Sequence, residues 1–363
     1  MRKTKLDYIF IFSVLALTAM GLLIVFSASP TMGLKLGDTY YFIKKHLLYL
    51  LLGFAALLYG ASLDIGKLRE RARLIFGISI FLLLLVYIPG VGQKVLGASR
   101  WINLVVFSFQ PSELIKFSII LFLAEYLSKL GKQIEDFWKG LLPPLLVVGM
   151  VAALIILQPD LGTAITISAT SFILIFTAGA RYLHLALLGG AGAFGVLVIS
   201  LVSPYRLRRL VAFIDPWKDP QGIGFQVIQS LLAVGSGGVM GLGLGASRQK
   251  FFYLPQQFTD FIFAILCEEL GLVGGGLVVI LFMLFCARGL KIAYSTADKF
   301  SSLLAAGIVS WLTLQALINI MVVTGMLPTT GIPLPFISYG GTATIINLFS
   351  VGIVLNISTQ AKK

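Results

Sequence analysis

Soluble enzymes draw on cysteine, histidine and abundant charge, and this chain is poor in all three. Two cysteines occur in 363 residues, Cys267 and Cys286, both in one apolar run. In a helix they stand about 28 Å apart at 1.5 Å per residue, too far for a disulfide. The two histidines, His46 and His184, fall in different apolar runs, so the spacing of a structural zinc site is missing. Charged residues make up 12% of the chain, against about 25% in soluble domains. Acids are the scarcer sign, with 15 Asp and Glu against 28 Lys and Arg.

What is present is apolar: 58% of the residues, with a mean hydropathy of +0.97. The chain reads as an all-α polytopic membrane protein. Runs of the length needed to cross about 30 Å of hydrocarbon lie at Tyr8–Phe26, His46–Leu63, Leu74–Ile88, Ser112–Leu127, Leu141–Leu157, Leu161–Ala178, Leu183–Val202, Thr259–Cys286, Leu303–Thr324 and Phe336–Ile357. Ten transmembrane helices are expected, in one domain over residues 1–363. The third run is short, and the fifth carries Pro143 and Pro144.

Lys and Arg in short loops set orientation. With the N-terminus inside, sixteen fall on the cytoplasmic side, from Arg2, Lys3 and Lys5 to Lys362 and Lys363. Five fall outside: Lys35, Lys44, Lys45, Lys94 and Arg100. Both termini are expected to be cytoplasmic. The net charge of +13 reflects this bias and implies no nucleic acid. The first run resembles a signal peptide, but its apolar core is too long and nine more runs follow.

One connection is long. Residues 203–258 form a large extracytoplasmic loop between helices 7 and 8, and loops of that length in compact proteins are functional or disordered. Phe225, Ile228, Leu231 and Leu232 share one helical face, which predicts a helix at the outer interface or packed on the bundle. Gly241-Leu242-Gly243-Leu244-Gly245-Ala246 fits a dinucleotide pattern, yet no strand precedes it and no GK[ST] marks a phosphate loop. A closely packed turn, or backbone N–H groups cradling a phosphate, are the readings left.

The acids that enter the apolar runs stand out, because a charge at mid-depth costs roughly 2.5–3.5 kcal/mol on the insertion scale. Asp260 opens the eighth run, and Glu268 and Glu269 follow about 12–14 Å deeper along a helix. At 100° per residue they cannot both share the face of Asp260, and pairing with a basic or hydroxyl group inside the bundle is their plain reading. Glu113 and Lys116, three apart at the start of the fourth run, face one side and can pair. They either neutralise each other or line a cavity shared with Asp260, where Lys116 offers charge to an anion. Arg100 and Trp101 read as interfacial anchors. Residues 324–347, "TGMLPTTGIPLPFISYGGTATIIN", hold more Pro, Gly, Ser and Thr than a turn requires. Irregular backbone at membrane depth persists only where it is buried or lines a cavity.

Together, "GASRWINL", "FQPSELIK", "ILQPDLGTA", "DPWKDPQGIGFQVIQSLLAVGSGG", "GLGASRQKFFYLPQQFTDFIFAILCEELG" and "GMLPTTGIPLPFISYGG" resemble the SEDS family (shape, elongation, division and sporulation) over nearly the whole chain. "SRQKFFYLP" and "PTTGIPLPFISYGG" are closer to its FtsW and SpoVE branch than to its RodA branch. The resemblance implies a peptidoglycan glycosyltransferase that polymerises lipid II outside the cytoplasmic (inner) membrane, at the division septum. It also implies work with a class B penicillin-binding protein, an FtsI-like transpeptidase, and with other membrane proteins of the division machinery. By motif, Asp260 is the catalytic acid of "TDF", and Glu113 and Lys116 are the "PSE..K" pair near it. The family often reads "PEQHTDF", whereas Gln256 and Phe258 stand here in place of the Glu and His, which increases the burden on Asp260.

In that chemistry a carboxylate takes the proton of an attacking sugar hydroxyl as general base. Arg100, Lys116, Arg206, Arg208, Arg209, Arg248 and Lys250 are the cations available to offset the pyrophosphate leaving group. A divalent cation, Mg or Mn, bridging Asp260 and the phosphates would act likewise. Arg100, Glu113, Lys116, Arg208, Arg248 and Lys250 are the expected substrate-binding residues. Two other classes fit a charged bundle: a lipid flippase or transporter, and a non-catalytic scaffold. An outer rather than midplane Asp260 favours the enzyme.

Overall fold

The computed structural model describes residues 6–90, 92–95, 98–103, 108–250 and 257–359. Twelve helices of at least ten residues dominate it. They are α1 (Tyr8–Ala28), α2 (Tyr41–Ser62), α3 (Ala72–Leu85), α4 (Pro111–Leu130), α5 (Leu142–Leu157), α6 (Leu161–Thr177), α7 (Tyr182–Val202), α8 (Pro204–Ile214), α9 (Phe225–Ser236), α10 (Ile262–Ser295), α11 (Lys299–Val323) and α12 (Gly341–Ser358). Aspartates start several of them: Asp7, Asp160 and Asp298 accept from the backbone N–H of Phe10, Thr163 and Ser301. A side-chain oxygen there satisfies one of the N–H groups a helix start leaves orphaned.

Among the described residues, seven helices are long and apolar enough to cross a membrane: α1, α2, α5 with the π-type turn before it (Phe137–Leu157), α7, α10, α11 and α12. The other three expected runs are helical but fall short for separate reasons. α3 has 14 residues and α6 has 17, while α4 has 20 but carries Glu113, Lys116, Glu125 and Lys129. One small sheet accompanies the helices. A three-stranded antiparallel sheet, β1 (Gly92–Val95), β2 (Ala98–Asn103) and β3 (Ser108–Phe109), joins α3 to α4. The hydropathy that locates spans does not see strand pairing.

Close packing rests on small residues. α2 and α12 approach until a Cβ on Gly352 would lie 2.1 Å from the Leu57 carbonyl oxygen, the small-residue contact that substitutes for hydrophobic drive inside lipid. At the other side of the bundle Phe10 stacks on Phe285, with centroids 4.9 Å apart. Arg288 closes that end on Asp7 at 2.7 Å.

The described part of the 203–258 segment packs on the bundle. In α9, Val227, Ile228, Ser230 and Ala233 are buried while Leu232 is exposed. The buried face is thus turned from the apolar one expected, because Ser230 Oγ donates to the Val323 carbonyl (2.7 Å), an orphan acceptor at the end of α11. The glycine run that follows is a closely packed turn. α10 breaks at Gly271 (φ 66°, ψ −163°), and the turn fills the break. Leu272 N–H donates to Gly238 O (2.9 Å) and Val273 N–H to Val239 O (3.2 Å). In return Leu242 and Gly243 N–H donate to the Glu268 and Glu269 carbonyls, each at 3.0 Å. These four bonds replace the two that the helix loses, so no peptide group is stranded. Residues 251–256 of the long loop, and the terminal cations Arg2, Lys3, Lys5, Lys362 and Lys363, lie outside the described residues.

Gly271→Ala tests the splice. Its backbone occupies a region essentially closed to other residues, at a cost of about 1–3 kcal/mol, and a Cβ would lie 2.3 Å from Gly241 N. The variant should melt several degrees below wild type in detergent; an unchanged Tm would mean the splice carries no stability.

Candidate active site

Asp260 lies in the turn before α10, at the end of the bundle opposite the Asp7–Arg288 pair, and its flanking backbone is held from two elements. The Phe258, Thr259 and Asp260 carbonyls accept from Tyr339 N–H (2.9 Å), Ser338 Oγ (2.6 Å) and Asn319 Nδ2 (2.7 Å). Asn319 Nδ2 also donates to Ile332 O at 2.8 Å. The proline- and glycine-rich segment 327–340 is therefore tied to the turn that carries the acid. Gly331 (φ 77°) passes beside the carboxylate, close enough that a Cβ there would sit 3.6 Å from Asp260 Oδ2.

Three charged side chains act on Asp260 across this space. Asp160 comes from the start of α6, Arg100 from β2 and Arg209 from α8. Arg100 is oriented by bonds to Gln158 O (3.0 Å) and Pro159 O (2.6 Å), with Nη1 3.8 Å from Asp160 Oδ2. Arg209 donates to Thr329 O (2.8 Å) and lies 4.6 Å over the Tyr205 ring. Asp260 itself is half-buried: protein surrounds it while solvent still reaches it. Desolvation, and secondly the Asp160 charge, push its pKa up to about 6 against the lowering pull of Arg209 and Arg100. A carboxylate so poised accepts a proton near neutral pH, and the two guanidinium groups can receive an anion.

The other expected residues are distributed differently. Glu113 and Lys116 pair at 2.8 Å, each only 2% exposed. Lys116 Nζ also donates to Gln315 Oε1 (2.9 Å), which accepts from Trp311 Nε1 (3.0 Å), while Gln315 Nε2 donates to Pro333 O (2.9 Å). The pair thus reaches the site through the 327–340 wall and not by side-chain contact with Asp260. Lys250 is buried against Glu269 at 3.2 Å. Arg248 and Arg208 are exposed, and Arg206 donates to Ile156 O (3.2 Å). Glu268 and Glu269 sit within the bundle. Glu268 accepts from Ser247 Oγ and Arg248 N–H, and Glu269 from Ser27 Oγ (2.6 Å) and Lys250.

Sequence reasoning passed over Asp160. In "ILQPDLGTA" an aspartate before an apolar helix reads as an N-cap, and it is one, with Oδ1 accepting from Thr163 N–H at 3.1 Å. Its second oxygen faces Arg100, so the same residue serves the site. No group of three or more His, Cys, Asp or Glu that could hold a metal occurs among the described residues. Magnesium needs only one or two carboxylates when substrate phosphates complete its shell. Asp260 fits that substrate-bridged mode and not an all-protein cage.

Fold and site together define a polytopic helical membrane protein with a half-buried carboxylate set among arginines at one end of its bundle. A family model, FTSW_RODA_SPOVE, described as cell cycle protein, matches residues 7–363, and the chain belongs to this family. It is 45% identical to Stage V sporulation protein E of Bacillus subtilis over 362 residues, 99% of each chain. It is 42% identical to the probable peptidoglycan glycosyltransferase FtsW of Geobacter sulfurreducens over 359 residues, 99% of this chain and 96% of that one. Among solved structures it resembles a chain of a peptidoglycan synthase complex that coordinates polymerization and crosslinking (TM-score 0.80, 31% identity, 97% of each chain). It also resembles the rod shape determining protein RodA of Thermus thermophilus (TM-score 0.73, 28% identity, 99% of this chain and 98% of that one).

The Glu113–Lys116 pair yields a stability test. Lys116→Met leaves a buried carboxylate unpaired, a loss in the range of about 3–5 kcal/mol, and releases Gln315 from one partner. It should lower Tm sharply, and Glu113→Gln added to it should restore most of the loss. A double variant no more stable than Lys116→Met would show that pairing is not what the two residues supply.

Proposed function

We propose that the chain is a peptidoglycan glycosyltransferase of septal wall synthesis. It polymerises lipid II at the outer face of the cytoplasmic membrane, with Asp260 as general base. The observation that carries this reading is the half-buried Asp260 carboxylate facing Arg100 and Arg209, with its proton affinity raised toward neutrality. Relatives at 41–42% identity over nearly their whole lengths, named probable peptidoglycan glycosyltransferases, support the activity.

The 4-hydroxyl of one sugar attacks the anomeric carbon of another, and Asp260 takes the hydroxyl proton as the new C–O bond forms. The bond from that carbon to the lipid pyrophosphate breaks with inversion, and the leaving group departs as an anion. Arg100 and Arg209 are placed to offset its charge, and Asp160 keeps Arg100 turned toward the site. A divalent cation held by Asp260 and the substrate phosphates would supply further positive charge there. Lys116 and Glu113 brace the wall of the site; Arg208 and Arg248 are exposed cations available to the substrate phosphates, and Lys250 is committed to Glu269.

The single domain crosses the membrane ten times with both termini inside: α3, α4 and α6 complete the seven longer spans. α4 tolerates its charges because Glu113 and Lys116 face protein. This arrangement sets Asp260 outside, where lipid-linked sugar is polymerised. A class B penicillin-binding protein of the FtsI type is the partner that would crosslink the product, in keeping with the synthase complex this chain resembles.

Asp260→Asn keeps volume and hydrogen bonding but not proton acceptance. Purified with its partner and given fluorescent lipid II, it should form glycan chains at least about 10²-fold more slowly. Full activity would favour a scaffold or a flippase. The base works deprotonated, so the rate should rise with pH through about 6. Asp160→Asn keeps the helix cap but removes the charge that raises the Asp260 pKa, so the acid limb of the pH–rate profile should move down. A limb that stays in place or moves up would exclude coupling between the two acids.

A further inference from the structure

Three residues before Asp260 the chain is pinned by a side chain that the reaction does not use. Gln257 is 2% exposed, and its Nε2 donates to Ala28 O and to Thr31 Oγ1, both at 2.9 Å. The Thr31 hydroxyl in turn donates to Lys250 O at 2.9 Å. The Lys250 ammonium turns back onto the same stretch, 3.3 Å from Ser27 Oγ and 3.2 Å from Glu269 Oε1. The chain on either side of residues 251–256 therefore bears on Ser27 to Thr31, at the end of α1. One hydroxyl, that of Thr31, serves both sides, giving its proton to Lys250 and accepting from Gln257.

Resting on the general-base reading of Asp260, we infer that Gln257 and Thr31 are positioning residues: the end of the first helix sets where the base stands. Asn319, Ser338 and Tyr339 hold the Asp260 turn from the side of the 327–340 segment. Gln257 ties it to Ala28 and Thr31, so the turn is held by the end of α1 as well as by the wall of the site. A general base must lie within hydrogen-bond reach of the proton it removes, and a misplacement of about 1 Å can cost on the order of 10²-fold in rate. A buried amide with two acceptors at good distance is rigid, because losing either would strand a polar group.

The test uses the full chain with its transpeptidase partner and fluorescent lipid II. Thr31→Val preserves shape and removes the hydroxyl; Gln257→Met preserves length and removes the amide. Each should lower kcat at least about tenfold and leave KM within about twofold, with a modest fall in Tm from the polar group left unpaired. Thr31→Ser, which keeps the hydroxyl, should run at the wild-type rate. The double variant should be no slower than the slower single, because both act through one clamp. The proposal is overturned if either single variant keeps the wild-type kcat, if Thr31→Ser is as slow as Thr31→Val, or if the losses multiply in the double. A loss of kcat accounted for by the fraction unfolded at the assay temperature would equally overturn it, marking the residues as merely structural. Should Thr31→Val not fold, kcat and Tm of Gln257→Met decide alone. Asp260→Asn, assayed in parallel, separates the two ideas. If it retains full activity the general-base reading falls and the positioning role with it; if it is inactive while Gln257→Met runs at the wild-type rate, only the positioning role falls.

Discussion

A helix that breaks inside a membrane must find partners for the peptide groups it releases, because lipid offers none. The break at Gly271 meets that demand with the turn at residues 237–243, which donates to the carbonyls of Glu268 and Glu269 and accepts from the N–H groups of Leu272 and Val273. The consequences spread outward. The splice holds the long connection against the bundle, so α9 packs on the end of α11 and Ser247 is carried to the two glutamates. Lys250 follows, and with it the approach of the chain to Asp260.

Two kinds of buried charge are thereby separated. Glu113 with Lys116, and Glu269 with Lys250, lie out of solvent and are answered by opposite charge and hydrogen bonds. Such pairs contribute little net stability but are costly to break singly, which suits them to fixing the geometry of neighbouring loops. Asp260 differs: it is half-buried, flanked by another acid as well as by arginines, and left with a raised pKa. The acid with the least complete compensation is the one placed where a substrate could supply the rest.

The site is assembled from distant stretches of chain. β2 contributes Arg100, the start of α6 contributes Asp160, α8 contributes Arg209, the turn before α10 contributes Asp260, and the 327–340 segment forms the wall. Several of these groups do double service. Asp160 caps a helix while facing Arg100, and Asn319 joins the backbone of Asp260 to the backbone of the wall. Structural and chemical roles are not divided between different residues here.

The sequence by itself determined the class of the protein: apolar runs of membrane length, scarce charge and few cysteines leave no soluble alternative, and the quoted motifs identified the family and Asp260. It also exposed the glutamates of α10 as needing partners, since an acid in an apolar run is costly whatever the fold. Only the tertiary structure decided which partners they took. It put Lys250 on Glu269, Lys116 on Glu113 and Gln315, and Arg209 and Asp160 beside Asp260. Hydropathy reports whether a residue tolerates lipid, and helical periodicity reports which neighbours share its face. Neither reports which of several cations, separated by many residues in the chain, will stand near a given acid. That depends on how the helices pack and on the backbone splice at Gly271, a long-range contact between glycines that carries no hydrophobic or charge signature.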